Sequence, residues 1–262
     1  IQERKISAEI AIIQLNSLTE IKGWLDSPDN SLLAAELLAE TGSAPRSLQI
    51  VKNTLENHPT HSASIFLLTR LSVHLKNQTN LTLLGKKLAR LSSRKSKSGI
   101  EAIRHMTLLH ILNPLSQSSL IKCIELLQSN PHAEPIDFMR IHALQYEIAR
   151  NTEEKLNIIR KCGDQFDLEQ RKDLLIFSRW LGRLGAFSEL VNYLSTSKAR
   201  VDEELFKLRM NALAQLNDLE TIHFEVNNAP IIPKRWRLVI EARAFALEGN
   251  YKESIKVLDR LI

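Results

Sequence analysis

The sequence predicts an all-α chain made of about seven helical hairpins in a row. Three observations carry this prediction. Leu, Ala, Glu, Lys and Arg, all strong helix formers, dominate the 262 residues, while Gly and Pro number only eight each. Gly or Asn recurs between pairs of segments of helical length and period, at intervals of 35, 36, 38, 34, 32 and 32 residues from Gly42 to Gly249. A second set of breakers, rich in proline, falls between the pairs, where a helix cannot continue.

Residues 3–25 are expected to form a leading helix, with Ile6, Ile10, Ile13 and Ile21 along one face and Trp24 packed near its end. The chain starts at Ile1 rather than Met. Residues 1–27 are therefore read as an N-terminal helix that can follow a removed signal or anchor segment, or the chain is a fragment. The hairpin turns come next: "LAETGSAPR" at Gly42, "HLKNQTNLT" at Asn77, "HILNPLSQS" at Asn113, "IARNTEEKL" at Asn151, "GRLGAFSEL" at Gly185, "AQLNDLETI" at Asn217 and "FALEGNYKESIKVLDRLI" at Gly249. Gly and Asn tolerate the left-handed backbone with which helices end. His58-Pro59, Asn130-Pro131 and the stretch from Ala229-Pro230 to Pro233 separate one hairpin from the next. The final helix crowds Val257, Leu258, Leu261 and Ile262 together. A terminal hairpin has a neighbour on one side only, so the repeats of residues 28–262 are expected either to continue past Ile262 or to self-associate through this edge.

A hairpin of about 34 residues resembles the tetratricopeptide repeat. The last unit is the most similar: Ala242 is the small residue where two helices cross, Phe245 follows it, and Gly249-Asn250-Tyr251 resembles the family's turn. Ser178 and Phe187 take corresponding places around Gly185. Around Gly42 the matching residues are Ala35, Ser47 and the closing Pro59. The pattern is degenerate, with Met210 standing where a small residue is expected. The resemblance implies a right-handed α/α superhelix, a solenoid in which each hairpin buries its apolar face on its neighbours and the first helices line a concave groove. Matched residue by residue, it directs Arg104, Arg140, Lys172, Arg179, Arg183, Lys207, Asn211 and Arg243 toward that groove, with Glu147 and Glu204 as acidic exceptions. Lys207 and Asn211, one turn apart, resemble the residues with which such repeats grip a peptide carboxylate.

Reaction chemistry does not emerge from the sequence. His58 and His61 flank Pro59 in a loop, His105 and His110 are too far apart to share a helix face, and HExxH and GxSxG are absent. Cys123 and Cys162 lie on separate apolar helical stretches and are read as buried thiols. "LGRLG" at 181–185 follows no strand, so Gly182 is expected to permit close helix packing and Gly185 to end a helix. Glu153-Glu154 and Glu203-Glu204 are expected to open helices, at the end where carboxylates are favoured. The basic run "KKLARLSSRKSKSG", residues 86–99, could bind phosphates or anionic lipid, but the preferred reading is a solvated helix end and polar loop. Asn77-Gln78-Thr79 and Asn80-Leu81-Thr82 fit the glycosylation pattern, which matters only in a eukaryotic secretory setting. No apolar run approaches the ~20 residues of a membrane span and no signal peptide is visible. A cytoplasmic location is favoured, with an anchored or exported form open through a missing N-terminal segment.

The expected function is therefore a non-catalytic scaffold, without cofactor or metal, that binds an acidic peptide or protein segment. Two alternatives stand beside it. One is a helical-repeat RNA-binding protein, supported by a pI of 9.2 and weakened by an aromatic content of only 5%. The other is a helical accessory domain of a larger enzyme or membrane-anchored assembly.

Overall fold

A computed structural model describes residues 13, 17, 23–79, 81–228 and 232–261. The expected leading helix lies outside the described residues except for its end and for Ile13 and Ser17, both helical. After a 3-10 turn at Trp24–Asp26, fifteen α-helices follow among the described residues, with no strand. They are α1 (Pro28–Glu40), α2 (Ala44–Asn57), α3 (Ser62–His74), α4 (Leu81–Ser92), α5 (Lys97–Leu109), α6 (Gln117–Ser129), α7 (Pro135–Ile148), α8 (Thr152–Gly163), α9 (Arg171–Leu184), α10 (Phe187–Tyr193), α11 (Thr196–Ala199), α12 (Glu203–Gln215), α13 (Leu219–Asn227), α14 (Lys234–Leu247) and α15 (Tyr251–Leu258). Fourteen of them flank the seven expected turns in sequence. The short α11 is the one insertion. Two compact units divide the chain, residues 1–148 and 149–262.

Five of the turns close in one way. The N–H groups of Ser43, Asn77, Ala186, Asp218 and Asn250 reach back to the carbonyls of Leu38, Ser72, Leu181, Leu213 and Phe245, at 2.7–3.0 Å. Each bond spans five residues, the closure of a Schellman motif, and requires a left-handed residue just before the donor. Gly42, Gly185, Asn217 and Gly249 take that place with φ of 86°, 71°, 57° and 77°. At the second turn the left-handed residue is Lys76, φ 50°, and not Asn77. Asn77 instead accepts the N–H of Thr79 on its side chain. Asn151 also departs from the expectation: it is extended, φ −145°, and N-caps α8 by accepting from Glu154 N–H, while the Glu154 carboxylate accepts from Arg150 N–H. An Asn side chain can thus serve a turn without the left-handed conformation.

In residues 23–148 each helix packs on its neighbours in sequence, and the first helices also pack on one another, α1 on α3 and α3 on α5. Val51, Ile65, Leu84, Leu88 and Ala102 fill the larger core, while Ile103, Cys123, Leu127 and Ile141 fill a second. Trp24 packs on Ala34 and Leu38, near the end of the expected leading helix. Ser47 is fully buried against Ala35, whose carbonyl accepts its hydroxyl at 2.6 Å. Gly99, at the start of α5, has no room for a side chain: an added Cβ would lie 1.8 Å from the Arg94 carbonyl oxygen.

In residues 149–262, α9 packs on α10 and α12, and α12 to α15 pack in succession. Phe177 is completely buried among the rings of Phe166, Trp180 and Tyr193. Close helix packing belongs to Gly163, where a Cβ would lie 3.2 Å from the Phe177 ring, and not to Gly182, where it would make only ordinary contact with Leu190. Ala242 is buried as expected, and its carbonyl accepts the hydroxyl of Ser254 at 2.8 Å. The first and last hairpins therefore share one device, a serine twelve residues after a small residue and bonded to its carbonyl. The expected crossing positions Ser178 and Met210 are buried too, but the Ser178 hydroxyl has no hydrogen-bond partner among the described residues.

Candidate functional site

Three of the sequence-predicted residues, Lys207, Asn211 and Arg243, meet at one pocket. It opens between α12 and α14, the first helices of the sixth and seventh hairpins, and measures about 200 Å³. On α12, Lys207, Met210, Asn211 and Ala214 follow the i, i+3, i+4, i+7 pattern of one helix face. On α14, Trp236, Val239, Ile240 and Arg243 do the same. Ile222 of α13 also lines the pocket. The walls are mainly apolar, and the polar groups stand along them.

The Lys207 ammonium sits 3.7 Å from the centre of the Trp236 ring and donates to Glu203 one turn back at 2.5 Å. Its stem and the indole thus form a cation–π wall. Asn211 and Arg243 are exposed and have no hydrogen-bond or ion-pair partner among the described residues. An amide and a guanidinium therefore face solvent beside a slot that can take an apolar side chain. The pocket is smaller than the about 300–1,000 Å³ of small-molecule sites. A single side chain of a peptide suits it better than a whole cofactor.

The remaining predicted groove residues are placed differently. Arg104 and Arg140 are turned onto Asp137, which is fully buried. Arg104 donates to both Asp137 carboxylate oxygens at 2.9 and 2.6 Å, and also to Glu101 and Glu134. Burial pushes the Asp137 carboxyl up, but the bonds from Arg104 and the Glu134 N–H, together with the Arg104 and Arg140 charges, overcome it and hold the group below the usual carboxylate range. Arg179 pairs with Glu204 at 2.8 Å, and Glu204 also accepts from Arg171, which bonds Asp202 as well. Glu147, the other acidic exception, accepts from His110 at 2.7 Å. Lys172 and Arg183 are exposed and without ion-pair partners among the described residues.

Several of the histidines are engaged within the fold. His58 bonds the Asp26 carbonyl, His61 meets Ser64 and Asp29, and His105 stacks on Phe66. Among the described residues no group of three or more His, Cys, Asp or Glu could hold a metal ion. Both cysteines are buried and free, and burial pushes their thiols up to about 11 for Cys123 and about 12 for Cys162. No described helix is long and apolar enough to cross a membrane.

Sequence reasoning missed two features. Trp236 forms a wall of the pocket, and its spacing to Arg243 along α14 could have placed it there. Arg209 and Glu225 form a buried ion pair next to the pocket-lining Met210 and Ile222. Each interrupts an apolar stripe, Leu205-Arg209-Ala212 and Ile222-Glu225-Val226, and two opposite charges on facing stripes were a legible signal. No protein-family model matches the chain, and neither does any curated protein.

Proposed function

We propose that the hairpins are degenerate tetratricopeptide-like repeats wound as a right-handed superhelix, and that the chain is a non-catalytic scaffold binding an acidic peptide or protein segment on its first helices. The repeat reading is supported by the five identical turn closures and by the serine-to-carbonyl bond shared by the first and last hairpins. The binding reading is carried by the pocket between α12 and α14, where Asn211 and Arg243 stand free beside an apolar slot. A bulky apolar residue of the partner fills the slot, and a neighbouring carboxylate accepts from the guanidinium and the amide. Lys207, held over Trp236, adds positive potential without having to reorganise.

Selection from a random-sequence peptide display against the wild-type chain tests this. Acidic peptides with an apolar anchor should be enriched, and the same peptides should be lost when Lys207→Glu and Arg243→Glu are combined. Enrichment of neutral or basic peptides, or retention by the folded double variant, would overturn the assignment.

A further inference from the structure

The positive charge of the chain is concentrated on its second hairpin. Residues 57–100 contain eight Lys or Arg and no Asp or Glu. The whole chain nets +5, so everything outside this stretch nets −3. The fold then gathers half of those cations at one place. Lys86, Lys87, Arg90 and Arg94, from α4 and the turn after it, line a single pocket of about 240 Å³ in which no carboxylate takes part. Ile65 and Leu91, both buried, line it as well.

Two observations separate this cluster from an ordinary solvated helix end. Lys86, Arg90 and Arg94 have no ion-pair partner among the described residues, whereas Arg70, Arg104, Arg140, Arg171 and Arg179 each meet a carboxylate. Cations in the last turn of a helix are favoured by its dipole, which accounts for Arg90. It does not account for Lys86 and Lys87 in the middle of α4, with Lys86 and Arg90 repelling each other at i, i+4. Lys87 is also drawn inward: its ammonium donates to the Pro59 carbonyl at 2.7 Å. Burial lowers its pKa below the usual lysine value.

The shape selects the class of anion. Lys86 and Arg90 are one helical turn apart, about 6 Å along the axis. Two guanidinium groups present planar forks that match phosphate oxygens, and two ammonium groups add point charges. No aromatic ring lines the pocket, so the stacking platform with which proteins hold single-stranded nucleic acid is missing. We propose that this pocket binds a compact group carrying two or more phosphates, either free or as the headgroup of a lipid. The site lies in residues 1–148 and stands independently of the peptide pocket.

The test uses the full 262-residue chain and two probes: inorganic pyrophosphate by calorimetry, and flotation with phosphatidylcholine vesicles that contain or lack phosphatidylinositol bisphosphate. The wild-type chain should bind at least one probe. Combining Arg90→Gln with Arg94→Gln should weaken that binding about tenfold or more, since each charge-assisted bond lost is worth about that factor. Lys252→Gln, on the exposed side of α15, should leave it unchanged. Pyrophosphate binding identifies the free group as sufficient, and binding to the bisphosphate vesicles alone identifies the lipid as the source. No binding to either probe overturns the proposal, as does binding that the double variant retains. Capture of single-stranded RNA without either phosphate probe also overturns it and assigns the surface to nucleic acid. Should the double variant melt early, acetylation of the wild-type chain decides: whichever probe binds should slow the labelling of Lys86 and Lys87 but not of Lys252, and rates that this probe leaves unchanged at Lys86 and Lys87 reject the site.

Discussion

Replacing Glu225 with Gln should cost far more than an ordinary ion pair would. Arg209 and Glu225 keep only 8% and 2% of their side-chain surface. Arg209 donates from Nε to both carboxylate oxygens at 3.0 and 3.1 Å and from Nη2 to Oε1 at 2.7 Å. Its Nη1 holds the carbonyls of Val191 and Leu194, both at 2.7 Å, and Thr196 donates to Glu225 at 2.8 Å. The pair therefore joins α10, α11, α12 and α13. Removing one member leaves the other charged and out of water, which costs about 3–5 kcal/mol. An exposed pair such as Arg70–Glu36 is worth about 0–1 kcal/mol. Arg209→Met should cost a similar amount to Glu225→Gln. The double change Arg209→Met with Glu225→Leu should recover much of the loss, because a well-packed apolar pair can replace a buried ion pair. Recovery should stop about 1–3 kcal/mol short, since the Val191 and Leu194 carbonyls then lack their donor. Native-state hydrogen exchange is the appropriate assay. It reads α10 to α13 directly and does not require the two units to unfold together. Single-variant costs below about 1 kcal/mol, or losses spread evenly over α1 to α7, would refute the reasoning.

Gly99→Ala should destabilise residues 23–148 by about 1–3 kcal/mol, as an overpacked site does, because its Cβ would meet the Arg94 backbone at 1.8 Å; an unchanged urea midpoint would show that the turn yields freely. Asp137 has a depressed folded pKa, so its contribution is complete above the unfolded value of about 3.9 and is lost as pH falls through the lower folded value. Asp137→Asn should accordingly flatten the acid limb of stability, and an acid limb identical to wild type contradicts the pairing. Tyr251, Ile255 and Leu258 on α15 are 67%, 59% and 41% exposed, and a contiguous apolar strip of this kind finds partners. Ile255→Glu with Leu258→Glu should lower any self-association seen by light scattering without changing helix content. Association that persists in this variant places the contact elsewhere.

The turns show how much of the architecture could be read from sequence. All seven were located, because a Gly or Asn and a change of helical phase leave a mark at fixed spacing; five of the seven hold a left-handed residue. What was misread is which residue carries the strain. Lys76 rather than Asn77 turns left-handed, since the Asn77 side chain is occupied by the Thr79 N–H. The groove was harder. Helix period places Arg104, Arg140 and Arg179 on a first-helix face as readily as Lys207 or Arg243. Only tertiary packing brings Asp137 under the first two and Glu204 beside the third. The basic run of residues 86–99 reads as a solvated helix end in one dimension. Its convergence on one pocket with Pro59 and Ile65, some thirty residues earlier, is a property of the fold.

The central claim is that the slot between α12 and α14 grips an acidic segment through Arg243, Asn211 and Lys207. Calorimetric titration of one acidic peptide obtained by display, against the wild-type chain and against Lys207→Glu with Arg243→Glu, tests it most directly. The account predicts that the double variant loses about 2 kcal/mol or more of binding free energy, at least one charge-assisted bond, and that wild-type affinity falls as salt screens the charges. Equal affinity for both chains, with no dependence on salt, would contradict it.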